Sequence, residues 1–439
     1  MARFAARESI AFVDIDVVDG RGGPALRHQD VVVAGDRIVS VGPTGGLLNA
    51  RLIDGRGKTL LPGYVDAHAH VGNSGVMESS GVSGLSTDAN LQRWLLAGVT
   101  TVFDMSGAAP ELNELAERID DGDVVGPRLF HTHLLITGKG SHPIPLARSL
   151  ASLGFLAEYV LPQVGDDADI ARVLDVADDQ LVDFVKIVID RMPEGTPILD
   201  RSLMARLVQQ ARHRGHLVFV HAGDVDDAVA AAQAGATALA HLPWRGIITS
   251  AKAQELKSSG VVVVTTVAMW ESLSRASTGA FRASAEDRAF IPAAMLASVE
   301  KPSVIAADVA AVGKELRDNV TNRQASLQAL LGAGVPLLVG TDASLPSTWP
   351  GSSYFAEQRA LLEAGLPVGE LIVDMTSRPA HLMAGANADF GVVEAGKCAD
   401  LVVVDGDPLA DPSALGRIRL VVRAGRVVED LRPSDGGVH

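Results

Sequence analysis

The feature that most constrains this chain is a recurrence in its middle, where near-continuous apolar runs alternate with segments of helical period. Eight such runs are "GYVDAHAH", "VTTVFDM", "RLFHTHLLI", "DFVKIVID", "LVFVHAG", "TALAHL", "VVVVTTVAM" and "PLLVGTDA". Parallel strands covered on both faces have this look, because neither face needs polar residues. Between them, "PELNELAERID", "DVDDAVAAAQAG" and "NRQASLQALLGAG" carry an amphipathic pattern and stop at Gly or a charge, as helix C-termini do. The alternation predicts an α/β fold, a (β/α)8 TIM barrel over residues 61–390, with its active site at the C-terminal ends of the strands. The stretch from Trp270 to Glu300 is poor in pattern and reads as a candidate lid.

The chain ends follow another style. "VVVAGDRIV" and "VVRAGRVVE" are each an apolar run, a small turn with Gly, a basic residue and a second apolar run. They predict two hairpins of a small composite β-sandwich domain built from residues 1–60 and 391–439. A net charge of −15 argues against nucleic acid or an anionic membrane as partner. No apolar run reaches the roughly 18 residues of a membrane span. "MARFAARESIAF" lacks a signal-peptide core, and the single Cys398 cannot form an internal disulfide, so a reducing cytoplasm is expected. A homo-oligomer is compatible with the sequence, which does not fix one.

Polar residues sit at the predicted strand ends: His68 and His70 after strand one, Lys186 within strand four, His221 after five, His241 after six and Asp342 after eight. In a strand, residues two apart point the same way, so Asp66, His68 and His70 share a face and the two imidazoles can chelate one ion. A second pair, His131 and His133, reads as pocket lining or support behind the ligands. Taken singly, His221 and His241 read as satisfied core histidines and Asp342 as a structural cap. Placed together at one mouth, they suit a metal site shared among strands. Lys186 in an apolar strand is costly as an ammonium. Desolvated, it loses its proton, and the neutral amine can take up CO2 to give a carbamate able to bridge two divalent ions. The alternative is an ion pair with Asp183 or Asp190.

This set, together with "LPGYVDAHAH", "VGTDAS" and "GVVEAGKCADLVVVDGDPL", resembles the amidohydrolase superfamily, in its imidazolonepropionase-like and Xaa-Pro-dipeptidase-like cluster. The resemblance implies a metal-dependent hydrolase that cuts an amide or related C–N bond in a small molecule, such as a dipeptide, N-acyl amino acid, carbamate or urea. It implies one ion on His68, His70 and Asp342 and a second on His221 and His241, with carboxylated Lys186 bridging and zinc as the default metal. A metal-bridged hydroxide would attack, and Asp342 would carry its proton to the leaving group.

Strand five departs from the dipeptidase pattern by ending in "VHAGD", and Asp224 stands where deaminases place a longer Glu. A mononuclear deaminase or cyclic amidine hydrolase using Asp224 is therefore the competing enzyme reading, and Lys186 argues against it. A non-catalytic barrel scaffold is the third, though it would have no need of a buried lysine. Loops after the strands bring His142, Arg191, Trp244, Arg245 and Trp270 forward as substrate-binding candidates. Either arginine could meet a substrate carboxylate; equally, they read as solvated arginines and core tryptophans.

Overall fold

The computed structural model describes residues 3–5, 8–43, 50–76, 82–107, 109–145, 161–301 and 307–429. Eight parallel strands carry the middle of the chain: β1 (Tyr64–Ala69), β2 (Val99–Asp104), β3 (Arg128–His131), β4 (Phe184–Ile189), β5 (Leu217–Ala222), β6 (Ala238–Leu239), β7 (Val262–Val264) and β8 (Leu337–Leu338). Every residue of β1, β2 and β4 is buried, which explains why these strands read as unbroken apolar runs.

The strands do not form one continuous ladder. They are hydrogen-bonded as a sheet of β1–β2–β3 and a seven-stranded sheet that contains β4 to β8 and two further strands, Leu135–Gly138 and Gln163–Val164. A few backbone contacts cross the gaps. Asp183 N–H donates to His131 O at 3.0 Å, Ala67 N–H donates to Val339 O at 2.9 Å, and Ala69 bridges to Ala343 in parallel register. The expected closed ring is thus two sheets laced at their edges. "RLFHTHLLI" is split accordingly: its first half pairs with β2, and its second half pairs with β4.

The three helical segments named from the sequence are present as Ala109–Asp121, Val225–Gln233 and Val320–Ala333. Two other expectations change. "VVVVTTVAM" is a strand only as far as Val264, and a helix begins at Val267. The supposed lid is built of helices, Val267–Ala276, Ala285–Phe290 and Ala293–Glu300, seated on a core of Phe281, Ile291, Met295, Leu296, Val299 and Trp349. Its pattern was weak because that core draws on several short pieces, with no single long amphipathic face. Among the described residues, no helix is long and apolar enough to cross a membrane.

Strands from both chain ends join in one mixed sheet of nine strands. Leu401–Asp405 pairs antiparallel with Lys58–Pro62, the strand that leads into β1. Ile10, Phe12, Val31, Val33, Leu60, Leu401, Val403 and Val422 pack into one apolar cluster within it. Both predicted hairpins form, with Ala34 opposite Arg37 and Arg423 opposite Arg426. Their turns touch, because Gly425 (φ +73°) lies directly against the Gly35 carbonyl, where any Cβ would overlap backbone. Gly57 has a similar φ of +71° and open space around it. Gly425→Ala should therefore cost about 2–4 kcal/mol of unfolding free energy and Gly57→Ala about 1 kcal/mol. Equal losses in urea titrations would contradict the close approach of the two turns.

Candidate active site

β1 ends by delivering His68 and His70 on one side of the strand, and the turn after β8 delivers Asp342, which adopts a left-handed φ of +57°. His68 Nε2 lies 3.4 Å from Asp342 Oδ1, and His70 Nε2 lies 2.9 Å from the same oxygen. His241, just beyond β6, places Nε2 at 3.9 Å from Asp342 Oδ2, with its ring 4.3 Å from that of His68. Lys186 enters from β4 with Nζ 3.4 Å from His68 Nε2. Ligand atoms of His68, His241 and Asp342 all fall within 4.8 Å of one another.

The imidazoles are turned with their other nitrogens outward. His68 Nδ1 meets the Ala240 carbonyl at 2.8 Å, His70 Nδ1 meets Ser106 Oγ at 2.9 Å, and His241 Nδ1 meets Thr266 Oγ1 at 2.9 Å. A carbonyl only accepts, so Nδ1 of His68 carries the proton and Nε2 presents a lone pair to the cluster. Burial pushes His68 and His241 well below the usual histidine pKa, which keeps both rings neutral. Burial works upward on Asp342, but His68, His70 and Lys186 outweigh it and bring the carboxyl down to about 2. Asp342 Oδ1 is buried and makes no hydrogen bond of proper geometry despite its near neighbours. Neutral imidazoles with converging lone pairs around an ionised, unsatisfied carboxylate fit a divalent cation.

His221 stands apart in one respect. Its ring is 4.5 Å from that of His241, yet Nε2 is spent on Asp190 Oδ2 at 2.9 Å, which leaves Nδ1 as the nitrogen able to bind an ion. Asp190 is fully buried, is also bonded by Arg245, and its carboxyl falls below the normal range because these partners overcome burial. Neither Asp183 nor Asp190 is a counter-ion for Lys186: Asp183 accepts the His131 N–H at 2.8 Å, and Asp190 is taken by His221 and Arg245.

The surrounding candidates divide. His142 stacks 5.4 Å from His221, and the Trp270 ring lies 5.3 Å from that of His241, so both adjoin the cluster. Trp244 is fully buried behind Trp270 at 5.8 Å. Arg245 lies 3.7 Å over the Trp244 ring and is paired with Asp190 and with Glu315 at 2.9 Å. Arg191 is exposed and paired with Asp224 at 2.8 Å. Arg245 is thus not free for a substrate carboxylate, and Arg191 could meet one only by giving up Asp224. His131 faces Asn113 at 3.0 Å and His133 faces the Gly107 carbonyl at 3.2 Å, so both are committed to other contacts. A cavity of about 640 Å³ opens beside Arg191, Asp224, Arg245 and Lys252, but none of the clustered ligands lines it. The buried cluster, with the unsatisfied Asp342 Oδ1 among its imidazoles, is the candidate site.

Sequence reading missed Ser106, Thr266 and the buried Glu357, which accepts the Val267 and Ala268 N–H groups just after Thr266, and it offered Asp190 as a partner of Lys186, not of His221. Ser and Thr at strand ends look like turn residues, and Glu357 lies in a helix far along the chain. Only Asp190, at the end of the β4 run, carried the signal of an acid closing an apolar strand.

The chain belongs to the amidohydrolase family, whose pattern matches residues 59–428, and it is a hydrolase acting on carbon–nitrogen bonds. It is 23% identical to an imidazolonepropionase of Symbiobacterium thermophilum over 93% of this chain and 90% of the relative. Its fold is that of a solved Xaa-Pro dipeptidase with bound methionine in the active site, with a TM-score of 0.78 and 20% identity over 95% of this chain and 99% of the other. A solved prolidase complexed with N-methylphosphonate-L-proline matches at a TM-score of 0.74 and 22% identity, over 96% and 99% of the two chains.

Burial lowers the Lys186 amine from 10.5 to about 7, with Asp342 pulling weakly the other way. Between those values the folded amine is neutral while the unfolded one is charged, so the unfolded state binds more protons and stability rises with pH. Metal-free protein in CO2-free buffer should gain about 3–5 kcal/mol over Lys186→Met as the pH climbs through this window. Parallel stability curves for the two proteins would contradict a desolvated amine.

Proposed function

We propose that this protein is a metal-dependent hydrolase of a small-molecule amide or related C–N bond, working through a two-ion centre with carboxylated Lys186. The observation that carries the reading is Lys186 itself, buried, 3.4 Å from a ligand-type imidazole nitrogen and, among the described residues, in no ion pair with a carboxylate. A neutral amine in that place is reactive towards CO2, and the carbamate would supply an anion where the imidazole lone pairs converge. The two laced parallel sheets are read here as the (β/α)8 barrel of the family, with residues 1–60 and 391–439 as the attached β domain.

His68, His70 and Asp342 would hold one ion, and His241 with Nδ1 of His221 the other, zinc being suited to this imidazole-rich set. Divalent ions there would polarise the scissile carbonyl and lower the pKa of the attacking water. The rest is the work of the chain. Asp342, ionised at neutral pH, accepts a proton from the attacking water and delivers it to the leaving nitrogen. His142 and Trp270 wall the side of His221 and His241 and keep bulk water from it. Small molecules are the substrates because the cluster is recessed and nearly all of its side chains are buried.

The deaminase alternative needs Asp224 to move protons. Asp224 is instead held by Arg191 at 2.8 Å and Arg245 at 3.6 Å, on the cavity side of that pair. The names of the imidazolonepropionase and dipeptidase relatives are both consistent with hydrolysis at carbon–nitrogen bonds.

Protein loaded in zinc and bicarbonate should contain close to two ions per chain by elemental analysis. Lys186→Ala should lower kcat by about 10³-fold or more, with partial recovery in formate or acetate, and Asp342→Asn should lower it by about 10²–10⁴-fold without recovery. Full activity in Lys186→Ala would point to the deaminase-type reading.

A further inference from the structure

The helix Val267–Ala276 begins at Thr266, a residue type that ordinarily caps a helix with its own hydroxyl. Here it does not: Thr266 makes no side-chain cap bond. The cap comes from Glu357, 90 residues further on in the helix Ser352–Glu363, whose carboxylate accepts Val267 N–H at 3.0 Å, Ala268 N–H at 2.7 Å and the hydroxyl of Thr265. Glu357 is completely buried, so this interaction is shielded from water. Thr266 is held in the left-handed region at φ +46°, where a β-branched residue does not settle unless its neighbours fix it. In that pose its hydroxyl meets His241 Nδ1 at 2.9 Å, and the helix sets Trp270 5.3 Å from the His241 ring.

We propose that Glu357 is a positioning residue for His241: by capping the helix in place of Thr266, it frees the Thr266 hydroxyl to accept the His241 Nδ1 proton and so fixes the tautomer whose Nε2 faces Asp342. The substitution of one cap for another explains three otherwise separate facts, namely a buried carboxylate, an uncapped N-cap threonine and a strained backbone at the end of β7. It deepens the metal-hydrolase reading without depending on it, because the tautomer of His241 can be observed in the absence of metal.

The test is the side-chain nitrogen spectrum of selectively 15N-histidine-labelled, metal-free protein, with His241 assigned by its loss in His241→Gln. Wild type should show His241 as the Nδ1–H tautomer. Glu357→Gln and Thr266→Val should each show a mixture of the two tautomers, and Thr266→Ser, which keeps the hydroxyl, should restore the wild-type signal. In loaded enzyme, Glu357→Gln and Thr266→Val should lower kcat about tenfold with KM little changed, and metal should be lost to a chelator about tenfold faster. Should Glu357→Gln fail to fold, the two Thr266 variants carry the test. A pure Nδ1–H signal in either Thr266→Val or Glu357→Gln would overturn the proposal. Altered tautomers with no metal bound under any condition would uphold it while removing the metal-hydrolase reading.

Discussion

Asp66 lies at the seam on which the candidate site depends. Its carboxylate is fully buried between β1 and the segment after β8, and it accepts Trp94 Nε1–H at 2.9 Å, Thr341 N–H at 3.0 Å, the Thr341 hydroxyl at 2.6 Å and His68 N–H at 3.3 Å. Those bonds do not fully offset desolvation, since burial still holds the carboxyl up at about 6. What the group does is geometric. β8 is only two residues long, and the ladder between it and β1 is sparse, so Asp66 fixes the relation of the two chain segments that carry His68 and Asp342. Without it, the 3.4 Å spacing between those side chains would rest on a few backbone bonds.

The same device recurs around the cluster. Asp104 binds the Val71 and Ser106 N–H groups at 2.6 and 2.9 Å, and Ser106 in turn holds His70. Asp190 holds His221 directly. Each imidazole thus has its outward nitrogen settled by a carbonyl, a hydroxyl or a carboxylate before any ligand arrives, and a buried acid satisfies a backbone donor at or next to two of the four, Asp66 at His68 and Asp104 beside His70. Rings fixed in this way lose little freedom on binding a cation, which favours affinity. Burial adds to the effect by suppressing protonation of His68 and His241, which would otherwise compete with a metal.

The parts of this arrangement visible in the sequence were those with a period. The β1 run announced His68 and His70 because strand alternation puts them on one face, and the β4 run announced Lys186 because an ammonium has no cheap place among Phe184, Val185, Ile187 and Val188. The end of β7 was misread because Thr and Val suit a strand, and nothing local told that Glu357 would start a helix at Val267. Ser106 and Thr266 were illegible for a similar reason: a hydroxyl shows its purpose only when the long-range partner is in place. How continuously the strands pair around the ring was not legible, since the count of apolar runs says how many strands there are but not how their edges meet.

The arginines show how burial decides between two readings that sequence leaves level. Arg245 is bonded to Asp190, which is wholly enclosed and also anchors His221, and its guanidinium lies over Trp244. Turning it towards a substrate anion would leave a buried carboxylate half-paired, at a cost of about 3–5 kcal/mol, and would loosen His221. Arg191 is half exposed and its partner Asp224 is reachable by water, so releasing it costs on the order of 0–1 kcal/mol. Of the two, Arg191 alone can exchange its partner for a carboxylate on a ligand without disturbing the imidazoles. Any anion recognition on this side of the site therefore falls to an exposed, solvent-screened cation, whose contribution must fall as salt rises.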